Sequence, residues 1–319
     1  MNEKVLIINN FIANLTNLTK REGMVDSLWI TRKLNLLERL LFRTKFGKKL
    51  RQIRYADKKK WWSYCSDYEI IILIDSSKDI VFQTKKIEQA VSSDTRLILY
   101  MLNSISYTSD YNQLSGRWEL WSFSKKESIE NGFHYGETFY YKNFLSLKID
   151  SIVKYDTFFV GREKGRLKIL QELEGELKRL NLKFLFCIIS DKNVFFSKRY
   201  SRGIPYSKVI NLINESKSIV EIVQEKQEGM TLRAMESIFF KRKLITNNTA
   251  IKEKKIFCPE NIFILGENNI DSLISFINTP YKEIDENEIN KYEFSSWLKR
   301  IITNEEFEYD EKYYIDGHK

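Results

Sequence analysis

The sequence predicts an α/β protein made of two Rossmann-like domains, and three observations support that prediction. Short apolar runs alternate with amphipathic segments through both halves of the chain, which is the order of a parallel sheet with helices on both faces. The run from Glu69 to Asp75 is apolar until it ends in an acid, as expected of a central strand whose polar end reaches a ligand-binding edge. The chain contains only 3 Pro and 12 Gly, and these low numbers argue against a β-rich or low-complexity chain.

The individual elements follow from the apolar periodicity. In the first half, the predicted strands are Val5–Ile8, Glu69–Asp75, Arg96–Leu102 and Trp118–Ser124, with helices at 34–42 and 85–91. In the second half, the predicted strands are 157–160, 184–189, 219–223, 243–246 and 261–265. One predicted helix follows the first of these strands and ends near residue 180, and two others lie at 206–216 and 294–302. We therefore place the domains at residues 1–150 and 151–290, followed by a C-terminal helix and acidic tail at 291–319.

Composition limits the class of protein. A chain of 319 residues with 43% hydrophobic and 14% aromatic residues can bury a sizeable core. Cys65, Cys187 and Cys258 are far apart and show no zinc-binding spacing, which predicts free thiols in a reducing compartment. The first apolar run is too short for a signal peptide, and no run approaches the roughly 18 apolar residues of a membrane span. We expect a cytoplasmic protein.

The positive charge is concentrated in one segment. The formal net charge is +9, but twelve Lys and Arg residues against two acids give the stretch from Thr31 to Trp62 a net +10, so the rest of the chain carries −1. Three interpretations stay open: a basic helix at an anionic membrane surface, a nucleic-acid site, and a solvated helix face. The candidate membrane-surface residues are Arg43, Lys45, Lys48, Lys49, Arg51, Lys58, Lys59, Lys60, Trp61 and Trp62.

Residues 227–248, QEGMTLRAMESIFFKRKLITNN, contain the most informative pattern. A glycine allows close approach of the backbone to a ligand, and the first turn of the following helix offers unpaired N–H groups and a positive dipole end to a phosphate. Thr231 fits an N-cap or a phosphate ligand, and Arg233 adds a forked, permanently charged donor. Glu236 lies one turn later, where it either holds Arg233 or accepts from a ribose hydroxyl. Plain packing of a loop and helix on a sheet is the alternative.

This stretch, with YDTFFVGREKGR at 155–166 and IPYSKVINLINESKSIVEI at 204–222, resembles the C-terminal half of bacterial glycosyltransferases of lipopolysaccharide and capsular-polysaccharide biosynthesis. The resemblance covers roughly residues 155–302. It implies a GT-B fold, in which two Rossmann-like domains face each other across a cleft. It also implies a Leloir-type hexosyltransferase whose C-terminal domain binds a nucleotide-sugar donor and whose N-terminal domain binds a glycan or lipid-linked glycan acceptor of a surface polysaccharide. A UDP-sugar is the expected donor, because uridine is common among such donors.

The resemblance assigns the donor site to residues on two stretches of the second domain and to Tyr206 between them. They are Gly161, Arg162, Lys164, Arg166, Tyr206, Gln227, Gly229, Thr231, Arg233, Glu236 and Asn247. Other interpretations stay open for three of these groups: a solvated basic turn for the residues at 161–166, a core tyrosine for Tyr206, and a helix cap for Asn247.

The sequence offers less for the catalytic step itself. It has no DxD motif at a strand end, so we expect no metal and no cofactor, with cations and a helix N-terminus stabilising the leaving diphosphate. Asp75, at the end of a buried strand, and His134, the one internal histidine, are the candidate bases of the first domain. A helix N-cap and a structural histidine are the respective alternatives. The alternative functions are nucleic-acid or partner binding through residues 31–62 and phosphosugar transfer on the same fold.

Overall fold

A computed structural model describes residues 4–9, 26–28, 61–75, 80–105, 111–191, 200–224 and 229–308. The chain divides into two compact units, residues 1–136 and 137–319. The sequence analysis placed this boundary at residue 150. The structure assigns the intervening residues to the second unit, because the backbone of Tyr140 bonds there to Tyr292 and Phe294. The predicted helix at 34–42 and the basic segment as far as Lys60 lie outside the described residues.

The described part of the first unit contains a parallel sheet of six strands. These are β1 (Val5–Asn9), β2 (Asp26–Leu28), β3 (Ile70–Asp75), β4 (Arg96–Met101), β5 (Trp118–Ser122) and β6 (His134–Tyr135). Their order in the sheet is β2-β1-β3-β4-β5-β6, and every neighbouring pair is parallel. The helices are α1 (Ile80–Glu88) and α2 (Lys125–Asn131), with short 3-10 helices at Trp61–Asp67 and Tyr111–Gln113.

The first sheet reverses its strand order at β1. Strand β2 lies on one side of β1 and β3 on the other, so the carboxyl ends of β1 and β3 border the crevice in which such sheets bind ligands. Ile71 and Leu73 of β3 are buried against Leu6 of β1 and Ile80 of α1, as the continuous apolar sequence of β3 predicts. Asp75 ends β3 at this reversal point.

The second unit is built on a parallel sheet of five strands. They are β7 (Tyr155–Arg162), β8 (Phe184–Ile189), β9 (Ser216–Glu221), β10 (Lys243–Thr246) and β11 (Ile262–Ile264). Their order is β11-β10-β9-β7-β8. The described α-helices are α3 (Leu167–Arg179), α4 (Tyr206–Asn214), α5 (Leu232–Phe239), α6 (Leu273–Asn278), α7 (Glu286–Asn290) and α8 (Phe294–Thr303). Short 3-10 helices lie at Lys142–Leu147, Thr249–Glu253 and Ile270–Ser272.

Helices cover both faces of the second sheet. Leu170 and Leu173 of α3 and Leu273 of α6 pack with Val220 of β9 on one face. The next residue, Glu221, points to the opposite face because side chains alternate along a strand. Helices α4 and α5 contact β9, and Glu221 is bonded to the residue that begins α5. The predicted fold class, α/β with two Rossmann-like units, is confirmed.

Small polar residues explain why the predicted bounds of strand β9 are wrong. Strands β8 and β10 have their predicted bounds, but β9 begins at Ser216 and ends at Glu221 instead of covering 219–223. Ser216 and Ser218 are fully buried, and Ser218 donates to the carbonyl of Asp156 on the neighbouring strand. Buried serines therefore concealed the beginning of an otherwise apolar strand. Within the described ranges, no helix is long and apolar enough to cross a bilayer.

Candidate functional site

The two predicted stretches of the donor site meet where the second sheet reverses its strand order. Strand β8 lies on one side of β7 and β9 on the other, so the chain leaves the carboxyl ends of β7 and β9 in opposite directions and opens a crevice there. Residues 161–166 form the end of β7 and the turn after it, and residues 229–236 contain the last part of the β9–α5 loop and the start of α5. Gln227 lies outside the described residues.

Helix α5 begins as the sequence predicts. Thr231 has extended backbone angles, φ −97° and ψ 170°, and its Oγ1 accepts from the N–H of Arg233 at 3.1 Å. This is N-cap geometry. The bond from Thr231 to Glu221, the last residue of β9, places the N-terminus of α5 at the carboxyl edge of the sheet, which borders the crevice. Gly229 and Met230 before Thr231 are buried, and the carbonyl of Met230 accepts from Thr138 Oγ1 at 2.5 Å. The loop is therefore fixed to the segment at the beginning of the second unit.

Glu221 is a central residue of the site that the sequence analysis missed. Its carboxyl group is buried, and it accepts from Thr246 Oγ1 at 2.6 Å and from Thr231 Oγ1. Burial raises the pKa of Glu221, and the two threonine hydroxyls partly oppose that rise. The carboxyl group thus ties the N-cap of α5 to the ends of β9 and β10. The signal in the sequence was an acid standing inside the apolar run from Ile219 to Val223, where a charged side chain needs polar partners.

Arg233 and Glu236 form a buried chain of polar contacts with two tyrosines. Arg233, 17% exposed, pairs through Nη1 with a carboxylate oxygen of the fully buried Glu236. The hydroxyl of Tyr206 donates to the other oxygen of Glu236 at 2.9 Å and lies 2.7 Å from the hydroxyl of Tyr140. Burial raises the pKa of Glu236, and the neighbouring Arg233 guanidinium opposes that rise. Of the two predicted roles of Glu236, the structure shows the one in which it holds Arg233.

Tyr206 is half-buried, and both its ring and its hydroxyl make contacts within the second unit. Its ring packs edge-on against Phe144 at 4.9 Å, and its hydroxyl is engaged by Glu236 and Tyr140. These contacts agree with the core-tyrosine alternative, with the hydroxyl orienting Glu236. The stacking of a base on this ring stays a prediction.

Arg166 binds the backbone of the sheet. Its guanidinium donates to the carbonyls of Ile222 and Arg162, and Nε donates to that of Glu163 at 3.2 Å. The same group lies over the ring of Phe159, 5.4 Å from its centroid. Because Ile222 follows β9 and Arg162 ends β7, Arg166 holds the two diverging strand ends together. These contacts give Arg166 a structural role, and its part in the donor site stays a prediction.

Gly161 is required by that arrangement of Arg166. A Cβ at this position would lie 3.0 Å from Phe159 Cζ and 3.3 Å from Arg166 Nη2. Any larger residue would therefore press on the ring and on the guanidinium that rests over it. Gly161, predicted as a residue of the donor site, thus makes room for the protein's own arginine.

Arg162 and Lys164 are the two other cations of this turn. Lys164 and Gly165 have positive φ, 44° and 76°, and the N–H of Lys164 donates to the carboxylate of Asp191. Arg162 Nη1 lies 3.9 Å from Asp191, and its side chain is 59% exposed. Burial and then the charge of Arg166 lower the pKa of Lys164. A cationic turn with some positive charge in excess therefore borders the crevice.

The two asparagines after β10 have separate structural tasks. Asn247 Oδ1 accepts from the N–H of Val223 at 2.7 Å, and its Nδ2 donates to the carbonyl of the same residue at 3.4 Å. This side chain therefore continues the pairing of β10 with β9. Asn248 caps the following 3-10 helix by accepting from the N–H of Ala250. The capping interpretation thus applies to Asn248, and Asn247 serves the sheet edge.

The candidate bases of the first unit lie on different strands. Asp75 is the last residue of β3, beside β1 at the reversal of strand order. The ring of His134, on β6, stacks on Trp121 with centroids 4.7 Å apart. That contact agrees with the structural alternative for this histidine.

Trp62 is the membrane-surface candidate whose side chain the structure describes. It packs against the apolar core of the first unit, and Lys86 Nζ lies 5.1 Å from its ring centroid. Trp62 is thus partly buried against this core, and its role at a membrane surface stays a prediction. Among the described residues, no three His, Cys, Asp or Glu side chains are grouped so that they would hold a metal ion.

Comparisons with known proteins bear on the fold. No protein-family profile matches the sequence, and no curated protein matches it. The chain is similar in structure to AviGT4, a glycosyltransferase involved in avilamycin A biosynthesis, with a TM-score of 0.54, 11% identity and coverage of 95% of this chain and 97% of that one. A protein assigned as a UDP-N-acetylglucosamine 2-epimerase from Listeria monocytogenes gives a TM-score of 0.43 at 9% identity, covering 97% and 100% of the two chains. The glycosyltransferase SnogD from Streptomyces nogalater gives 0.37 at 10% identity, covering 94% and 98%. The likeness to AviGT4 shows that the chain has the α/β fold of a GT-B glycosyltransferase.

Proposed function

We propose that the protein is a glycosyltransferase that moves a sugar from a nucleoside-diphosphate donor to a glycan acceptor. The observation that most supports this proposal is the group of cationic and N–H donors where the second sheet reverses its strand order, between β7 and β9. There the capped N-terminus of α5 and Arg233 lie at one border of the crevice, and Arg162 and Lys164 lie at the other. Helix N-termini and fixed cations are the groups that bind a diphosphate.

The chemistry requires a stabilised leaving group and an acceptor for one proton. An acceptor hydroxyl oxygen attacks the anomeric carbon while the bond from that carbon to the diphosphate oxygen breaks, and the hydroxyl proton passes to a base. Glu236 holds the Arg233 guanidinium in place before the donor arrives, so little reorganisation is needed when charge develops on the diphosphate. We assign the diphosphate to Arg233, Arg162 and Lys164, without a metal, and keep Asp75 and His134 as the candidate bases.

The acceptor part of the proposal is a surface polysaccharide or its lipid-linked precursor. We infer that the enzyme works at the inner face of the cell membrane, with the basic segment between Thr31 and Trp62 attracted to anionic lipid. What supports this is the concentration of a net +10 in that segment of a chain that is otherwise almost neutral. Anionic vesicles should bind the protein more strongly at low salt than at high salt, because salt screens the basic segment.

Calorimetric titration with nucleoside diphosphates tests the donor site. The double variant Arg233→Met/Glu236→Gln removes both charges of the pair and leaves no buried charge unpaired. We expect it to bind the best nucleoside diphosphate at least roughly tenfold more weakly, since a charged hydrogen bond contributes about 1.5–3 kcal/mol.

Arg179→Met is the matched control, because Arg179 ends α3 at the other edge of the sheet and pairs with Glu176 and Asp271. Unchanged affinity in the double variant would place the diphosphate elsewhere. Stabilisation by oligonucleotides alone would instead favour a nucleic-acid-binding protein. Product analysis separates phosphosugar transfer, which releases a nucleoside monophosphate, from glycosyl transfer, which releases the diphosphate.

A further inference from the structure

A short segment of the second unit exposes an unusual share of apolar side chains. Eight large apolar residues are exposed in the described part of the chain, and four of them lie within seven consecutive positions, here named the 147–153 segment. They are Leu147, Ile149, Ile152 and Val153, with Ile149 56% and Ile152 85% exposed. Single exposed apolar residues are ordinary, but a group of them on one segment indicates a binding surface.

Both ends of the 147–153 segment are fixed to the C-terminal end of α4. At the start, Asn214 Nδ2 donates to the carbonyl of Leu147 at 3.0 Å. Past the end, the N–H groups of Lys154 and Tyr155 donate to the carbonyl of Glu215 at 2.8 and 3.1 Å, and Lys154 Nζ pairs with the Glu215 carboxylate at 2.6 Å. The apolar side chains therefore extend from a loop held at both ends.

The small size of this loop favours a lipid surface over a protein partner. A protein interface of standard size uses about 20–30 residues a side, and the loop offers only its seven residues. The flanking Lys142 and Lys154 pair with the Glu286 and Glu215 carboxylates, and within the loop Lys148 stands against Asp150, so the loop surface is apolar with little net charge. Exposed apolar side chains on a short loop suit the boundary between lipid headgroups and acyl chains, where Lys148 can keep its ammonium among the headgroups.

We propose that the 147–153 segment inserts its apolar side chains into the headgroup region of an anionic bilayer. The inference deepens the proposed function, since it rests on an acceptor held at a membrane. Helix α4 connects the two regions: Tyr206 at its start bonds to Glu236, and Glu215 after its end holds the segment. The candidate site and the inserted loop are therefore separated by about the length of this helix, ~13 Å for nine residues. A separation of this kind suits an acceptor whose sugars project from the bilayer.

Vesicle co-sedimentation of the full chain tests the insertion without any sugar transfer. The variant Ile149→Ser/Ile152→Ser removes the two most exposed isoleucines of the segment, and Ile129→Ser on α2, where the native side chain is 62% exposed, is the matched control. On phosphatidylglycerol-containing vesicles at 0.5 M salt, the basic segment is screened. Under these conditions we expect the double variant to partition about tenfold more weakly than the native chain and the control variant.

Equal partitioning of all three proteins at high salt would overturn the insertion. A native chain that self-associates in sedimentation velocity, with a monomeric double variant and equal vesicle binding, would show that the segment contacts a second copy instead. Ile152→Trp, quenched by brominated lipid more strongly than Ile129→Trp, would confirm the depth of the loop. Failure of nucleotide binding would leave each of these results unchanged, so the two proposals fail separately.

Discussion

Glu221 and Glu236 are both buried beside helix α5, but their partners differ. Glu221, at the N-terminal end of the helix, accepts from two threonine hydroxyls. Glu236, one turn inside the helix, accepts from a guanidinium and from a tyrosine hydroxyl. Burial raises the pKa of both carboxyl groups, and Arg233 opposes the rise at Glu236 with a full positive charge.

The difference shows how one residue type serves two purposes beside the same helix, from the end of β9 and from α5 itself. Hydroxyl donors can satisfy a carboxyl group in either protonation state, so Glu221 connects the N-cap to two strands and needs no charged partner. A buried carboxylate paired with a guanidinium cannot lose that partner without a large cost. Glu236 therefore fixes a cation at the crevice, and Glu221 fixes the helix that carries it.

The largest effect should come from removing the partner of the cation. Glu236→Ala leaves Arg233, which is mostly buried, without its carboxylate, and also removes the acceptor of the Tyr206 hydroxyl. We expect a loss of about 3 kcal/mol in the free energy of unfolding, measured by urea denaturation. Glu236→Gln keeps an acceptor of the same shape and should lose less than Glu236→Ala. Equal losses in the two variants would show that packing, not charge, determines the effect.

A smaller effect, visible as a pH dependence, should appear at Glu221. An acid whose pKa is raised in the folded state holds its proton above the pH at which the unfolded chain releases it. It therefore costs stability as pH rises above the ordinary carboxyl range, near 4.3. Glu221→Gln removes this titration. The stability of the variant relative to the native chain should thus increase by about 1 kcal/mol between pH 4 and pH 8. A difference that stays constant with pH would mean that the pKa of Glu221 is the same in the folded and the unfolded chain, and would contradict this prediction.

The smallest effects should come from the two tyrosine hydroxyls. Tyr206→Phe removes a donor to a buried carboxylate and should cost about 1–2 kcal/mol, whereas Tyr140→Phe removes a bond between two hydroxyls and should cost about 0.5–1 kcal/mol. Because the two side chains form one chain of hydrogen bonds, the double variant should lose less than the sum of the single losses. Additive losses in urea denaturation would separate Tyr140 from the Glu236 group.

Sequence alone predicted the parts of the fold that depend on local pattern. Strand β10, helix α5 and the N-cap at Thr231 followed from an apolar run, helical spacing and a threonine before the helix. The Arg233–Glu236 pair followed from their separation of three residues, which places two side chains on one helix face.

The remaining contacts depend on residues that are distant in the sequence. Tyr206 is 30 positions from Glu236, and the carbonyl of Ile222 that Arg166 binds is 56 positions away. The left-handed turn at Lys164 and Gly165 precedes the arginine that folds back onto β7, and a phosphate-binding interpretation of GREKGR did not anticipate it. Such contacts are set by strand order, which the sequence does not show by periodicity.

The bonds made by the first residues of the second unit determine which C-terminal fragments of the chain we expect to fold. The buried Glu137 carboxylate lies 2.7 Å from Lys254 Nζ, Thr138 bonds to Met230, and the carbonyl of Tyr140 receives the first N–H of α8. A fragment begun at residue 151 would lose all three and would leave a mostly buried lysine without that carboxylate. A fragment begun at residue 137 keeps them, and it is the shortest C-terminal piece that we expect to fold with helix α5 in place.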